Sequence, residues 1–89
     1  MDNFFDIIES YLDVHRRLHY DKVLDRVLLI PYEEKHKDKL YKLHERLFKL
    51  LRQETISNYS KRYARLYCIV TKYMKAYDIP LQFNYLEEH

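Results

Sequence analysis

Leu66-Tyr67-Cys68-Ile69-Val70 decides the fold. These apolar and aromatic residues are consecutive and cover more than one turn of a helix. They lie within residues 57–77, a segment with helical periodicity throughout. A helix that is apolar all round at its waist must be wrapped on every side, by its own chain or by a second copy. Either way it is the central packing element.

Working outward, Tyr59, Tyr63, Leu66, Val70, Tyr73 and Tyr77 alternate at spacings of four and three, the rhythm of one buried helical seam. Lys61, Arg65, Cys68, Lys72 and Lys75 keep the same rhythm on the opposite side. Ser57 is placed to cap this last helix. Asp78-Ile79-Pro80 stops it, because a residue preceding proline resists helical angles.

Before it, a helix is expected to start near Pro31 and run to about Gln53. Pro31 either ends the preceding helix or opens this one, where its missing N–H costs little. Two adjacent seams run along it, His36/Leu40/Leu43/Leu47/Leu50 and Tyr41/His44/Phe48/Leu51, a coiled-coil-like pattern. Lys35, Lys39, Lys42, Arg46 and Lys49 line its flank.

The amino-terminal third predicts two shorter pieces. Phe4, Ile8, Tyr11, His15 and Leu18 form a seam over about residues 3–18, with Asn3 or Asp2 as cap. Asp2, Asp6, Glu9 and Asp13 form an acidic stripe on another face. The phase breaks near His19-Tyr20, so a second helix is expected over residues 21–29, capped by Asp21, with Val23, Leu24, Val27 and Leu28 inward. A kinked continuous helix is the alternative. The tail, residues 80–89, alternates Leu81, Phe83 and Tyr85 with polar residues and reads as a short extended segment or a final turn.

Composition points the same way. The 89 residues contain no Gly and two Pro, whereas tight hairpins lean on Gly, Asn and Asp turns. The expectation is an all-α protein: one domain over residues 1–79, a small bundle of three to four helices, and a short carboxy-terminal tail. No apolar run reaches the roughly 18 residues of a membrane span. The acidic start, Met1-Asp2-Asn3, lacks the basic region of a signal peptide. A single Cys fits a reducing, cytoplasmic setting. Asn58-Tyr59-Ser60 matches a glycosylation acceptor only by accident in that context.

The net charge of +2 is unevenly spread. Residues 1–31 hold six acids and four bases, residues 32–77 hold twelve bases and five acids, and residues 78–89 add three acids. A basic centre between acidic ends is the main electrostatic signal.

These residues exclude most chemistry. His15 and His19 have the spacing of a helical metal pair, but His36, His44, Cys68 and His89 offer no matching second pair, and structural zinc needs about four ligands. No metal or other cofactor is expected. Cys68 lies among cations that can lower its pKa, yet its place in the apolar waist is that of a small packing residue. A phosphate loop needs Gly. The chain therefore reads as a non-catalytic binding module.

Two partner classes remain. A protein partner, met as adaptor or inhibitor, is favoured, with self-association as a homodimer through Phe5, Leu66, Tyr67, Ile69 and Val70. Nucleic acid is the alternative. For either partner the expected contacts are Lys42, Lys49, Lys61, Arg62, Arg65, Lys72 and Lys75. The tyrosines that would stack on bases share the seam opposite the cations, which weakens the nucleic-acid reading.

Overall fold

The computed structural model describes residues 3–13, 15–53 and 58–81. It is all-helical: α1 (Phe4–Ser10), α2 (Tyr20–Leu28), a 3-10 turn (Glu34–His36), α3 (Lys37–Gln53) and α4 (Asn58–Ala76). α4 packs against α3 on one side and α2 on another. None of the helices among the described residues is long and apolar enough to cross a membrane.

α1 starts where the sequence expects and stops sooner. Asn3 caps it, Oδ1 accepting from the Asp6 amide at 2.9 Å. Phe4, Phe5, Ile7, Ile8 and Tyr11 are buried. The helix ends at Ser10 rather than Leu18, because local polar groups compete with the next turn. The Ser10 hydroxyl donates to the Ile7 carbonyl at 2.7 Å, and the Tyr11 and Leu12 amides turn back to the Ile8 and Glu9 carbonyls, each at 3.1 Å. Asp13 Oδ1 then accepts from the His15 amide at 2.9 Å, the side-chain turn that Asp favours. His15, expected in a seam, is exposed as a result. The kinked continuous helix is likewise excluded. Asn3→Ala should cost about 1 kcal/mol, read as a lower denaturant midpoint with an unchanged slope.

α2 begins one residue before the expected cap. His19 occupies the cap position without a side-chain bond, and Asp21 lies in the first turn. Val23 and Val27 are buried and Leu24 half-buried, whereas Leu28 keeps about a third of its surface exposed. Pro31 opens no helix. Glu33 is extended, a 3-10 turn follows, and α3 proper starts at Lys37. Along α3 the two seams hold: Leu40, Leu43, His44, Leu47, Phe48 and Leu51 are buried, with His36, Tyr41 and Leu50 at the margin.

The end of α4 shows how a chain without glycine stops a helix. Asp78 adopts φ 56°, a left-handed conformation that Asp tolerates better than most residues. The Ile79 amide bonds the Met74 carbonyl at 2.9 Å and the Asp78 amide bonds Lys75 at 3.2 Å, with Ile79 and Met74 both buried. That is the Schellman arrangement, with its apolar contact across the turn. Pro80 follows, its carbonyl accepting from the Tyr41 hydroxyl at 2.6 Å. The expected Ser57 cap and the tail beyond Leu81 lie outside the described residues.

The waist is closed by the chain itself. Leu66, Tyr67, Ile69 and Val70 are buried within one protomer, and Cys68 alone is half-buried. Phe4 of α1 stacks on Tyr73 at 4.3 Å between ring centroids. Tyr73 and Tyr77 both donate to the Ile30 carbonyl at 3.0 Å, tying the α2–α3 connector to the last turns of α4. Phe5, Leu66, Tyr67, Ile69 and Val70, expected at a homodimer interface, therefore face the protomer's own core. Intramolecular contacts supply the wrapping for which a second copy was one solution.

Candidate functional site

The basic residues divide into two groups. On the α3 side, cations meet local acids: Lys35 with Glu33 at 3.6 Å, Lys37 with Glu34 at 3.8 Å, Lys49 with Glu45 at 3.1 Å and Arg46 with Glu9 of α1 at 3.9 Å. These exposed pairs add little stability, but they do lower the local field. Lys39 instead sits 4.6 Å from the Phe5 ring centroid. Lys42 is exposed.

On α4 the cations stand clear. Lys61, Arg65, Lys72 and Lys75 are all exposed, and among the described residues none makes a close ion pair, although the Asp21 carboxylate of α2 acts on Lys72. They follow one face for about 21 Å at the helical rise. Lys72 leans towards α2, its Nζ 5.4 Å from the Tyr20 ring centroid. Hydrogen bonding to Tyr20 raises its pKa above the ordinary lysine value, so it is fully charged at neutral pH. Arg62 does different work: its Nη1 donates to the Tyr11 carbonyl at 2.7 Å. It thus satisfies a carbonyl at the end of α1 and anchors that helix to α4.

Beside the α4 cations, the start of α2 and the middle of α4 enclose an open groove of about 690 Å³. His19, Tyr20, Asp21 and Lys22 form one wall; Ala64, Arg65 and Cys68 form the other. Its surface mixes apolar groups with charges of both signs, Lys22 and Arg65 beside Asp21. Burial raises the Cys68 pKa, and the nearby Lys72 charge only partly opposes this. The thiol is therefore protonated at neutral pH, which suits a lining residue better than a nucleophile.

A second, smaller recess of about 120 Å³ lies between α1, the α2–α3 connector and α4, lined by residues that include Phe4, Ile30, Pro31, Tyr32, Leu40 and Tyr73. Among the described residues, no three His, Cys, Asp or Glu side chains gather as metal ligands would.

Of the contacts named from the sequence, Lys61, Arg65, Lys72 and Lys75 share one ridge. Lys49 is engaged with Glu45, Arg62 with Tyr11, and Lys42 lies apart on α3. Tyr73 is buried and Tyr63 half-buried. The α2 wall was missed. Its only signal in the sequence is the break of phase at His19-Tyr20, which marks a helix start without showing what it faces. Comparison of the chain with protein-family models, with curated proteins and with solved structures finds no match.

Proposed function

We propose that the chain is a non-catalytic binding module of the cytoplasm that docks on an acidic, amphipathic segment of a partner protein, as an adaptor or inhibitor. The observation that carries this reading is the pairing of α4 cations that make no close ion pair among the described residues with a groove of partly apolar floor. Carboxylates of the segment meet Lys61, Arg65, Lys72 and Lys75. An apolar side chain settles against Tyr20, Ala64 and Cys68. Such an arrangement gives both electrostatic steering and a desolvated contact.

Nucleic acid is the second reading, favoured by the turn-by-turn spacing of the same cations, which suits a phosphate backbone. Against it stands the burial of Tyr73, which removes a base-stacking surface; Asp21 in the groove wall opposes either kind of anion.

Fluorescence anisotropy separates the two. A labelled peptide of Glu, Asp and Leu should bind. The double variant Arg65→Glu/Lys72→Glu should weaken it at least about tenfold, and Lys42→Glu on α3 should leave it within about twofold. Binding of random-sequence DNA without binding of the peptide, lost steeply between about 50 and 200 mM salt, gives the site to nucleic acid. Binding of neither probe refutes an anion-docking role.

A further inference from the structure

α4 carries two stripes of the same rhythm. The inner one, with Leu66, Val70 and Tyr73 buried, packs on the protomer's own core. The outer one is Lys61, Arg65, Cys68, Lys72 and Lys75, spaced four, three, four and three. Such a stripe drifts only about 20° per heptad round an α-helix, so all five residues share one line. The cations are exposed, and Cys68 at the centre is half-buried. Ala64, one turn before it, is also half-buried, and both line the groove beside α2. Two small side chains thus form a saddle between the long ones of Arg65 and Lys72.

We infer that the partner segment docks as an α-helix laid along this outer stripe, its carboxylates facing the four cations and a small apolar residue facing Cys68. This rests on the anion-docking reading and adds the conformation and register of the segment. Packed helices approach to about 8–10 Å between axes, closest where the facing side chains are small, and the saddle supplies that point. Heptad spacing is the rhythm that keeps two helices in contact over several turns.

Spacing and backbone both favour a helix over an extended segment. At the helical rise the cations stand at about 0, 6, 16.5 and 21 Å along α4. A helix with acids at the same intervals meets each of them. A strand presents one face about every 6.6 Å, which leaves Lys72 midway between two of its side chains. A lysine side chain can absorb that offset, so the backbone is decisive. Extended segments gain affinity by adding to a sheet edge, and no strand is present among the described residues. The amides and carbonyls of an extended segment would stay unpaired in the groove, whereas a helix arrives with its own satisfied. Asp21 on the α2 wall also acts on Lys72. It repels carboxylates on that flank and so confines the partner's acids to the α4 side.

A peptide of fifteen residues tests this. Glutamate stands first, fourth, fifth, eleventh, twelfth and fifteenth, alanine eighth, and Gln or Ala elsewhere, so the pattern is presented in either chain direction. By fluorescence anisotropy it should bind at least about tenfold tighter than two controls. One control has the same composition with the glutamates spread round the helix. The other has Pro in place of one central, outward-facing Gln, which breaks the helix and keeps the charges. On binding, the Cα shifts of the isotope-labelled patterned peptide should move to helical values. Intermolecular NOEs should join its central Ala methyl to the Hβ protons of Cys68. Controls that bind as tightly, a bound peptide that stays extended, or NOEs centred elsewhere along the stripe overturn the inference and leave the anion-docking reading in place. If none of the three peptides binds while the peptide of Glu, Asp and Leu does, the inference again fails alone. If that peptide fails too, both fall.

Discussion

Ile69→Glu will leave the chain unfolded at neutral pH and room temperature. Ile69 has no solvent exposure within the single protomer. The substitution removes an apolar group from the core, at about 2–5 kcal/mol by analogy with truncations. It also buries a carboxylate among apolar neighbours, at several kcal/mol more. A domain of this length is stable by roughly 4–13 kcal/mol in total. Far-UV circular dichroism should show loss of most helical signal and no cooperative melt. Arg65→Glu, on the exposed face of the same helix, should melt like the wild type. A folded Ile69→Glu chain with a near-normal midpoint would mean that the waist is not the centre of the core.

Acid will weaken the fold through a single imidazole. His44 is fully buried, stacked on Tyr67 at 4.6 Å, with Nε2 3.1 Å from the Thr71 hydroxyl. Its Nδ1 has no hydrogen-bond partner. The tautomer with its proton on Nε2 leaves only a lone pair unmatched, the smaller cost in an apolar setting. Charging the ring would bury an imidazolium with no counter-ion, and burial accordingly pushes its pKa down from 6.5 to about 4.

The sign follows from proton linkage. Between those two values the unfolded chain binds the proton more readily than the folded one, so stability rises with pH. The His44 contribution is complete above about 6.5, falls by up to about 3 kcal/mol as pH drops towards 4, and levels off below. The double variant His44→Leu/Thr71→Val removes both hydrogen-bonding partners together and so leaves no orphaned hydroxyl. Denaturant titrations across pH 7 to 4 should show a shallower loss for that variant than for the wild type. Parallel curves would remove His44 as the cause.

The same burial explains which parts of the fold the sequence reveals. α4 is legible because apolar residues recur at helical spacing and wrap its waist, a pattern that no surface helix needs. The α3 seams are legible for the same reason. The end of α1 is not, since the periodic residues Tyr11, His15 and Leu18 continue beyond it. Two short polar side chains, Ser10 and Asp13, decide the outcome by bonding their own backbone. Reading them as turn formers would have moved the boundary from Leu18 towards Ser10. Pro31 misleads in a similar way: it is compatible with a helix start, but the chain stays extended through Glu33 before turning.

The candidate site is legible only in part. The ridge of Lys61, Arg65, Lys72 and Lys75 follows from their spacing, because a helical stripe opposite a buried seam must face outward. Of the α3 pairings, Lys49–Glu45 is an i,i+4 pair that the sequence spacing already offers, whereas Arg46–Glu9 depends on where α1 lies. The diversion of Arg62 depends on where α1 ends. The groove exists only because the start of α2 lies against α4, a tertiary fact that no local pattern encodes. Leu29 is one leucine among many in the sequence, and it is exposed because helical phase sets it opposite the buried Val23 and Val27.

The anion-docking account stands on one surface, and backbone NMR shift mapping reads that surface residue by residue. On titration with the peptide of Glu, Asp and Leu, amide shifts should concentrate at His19–Lys22 and along α4 from Lys61 to Lys75, while the paired α3 flank around Lys35, Arg46 and Lys49 stays still. Shifts centred on α3, or scattered without regard to the groove, would contradict it.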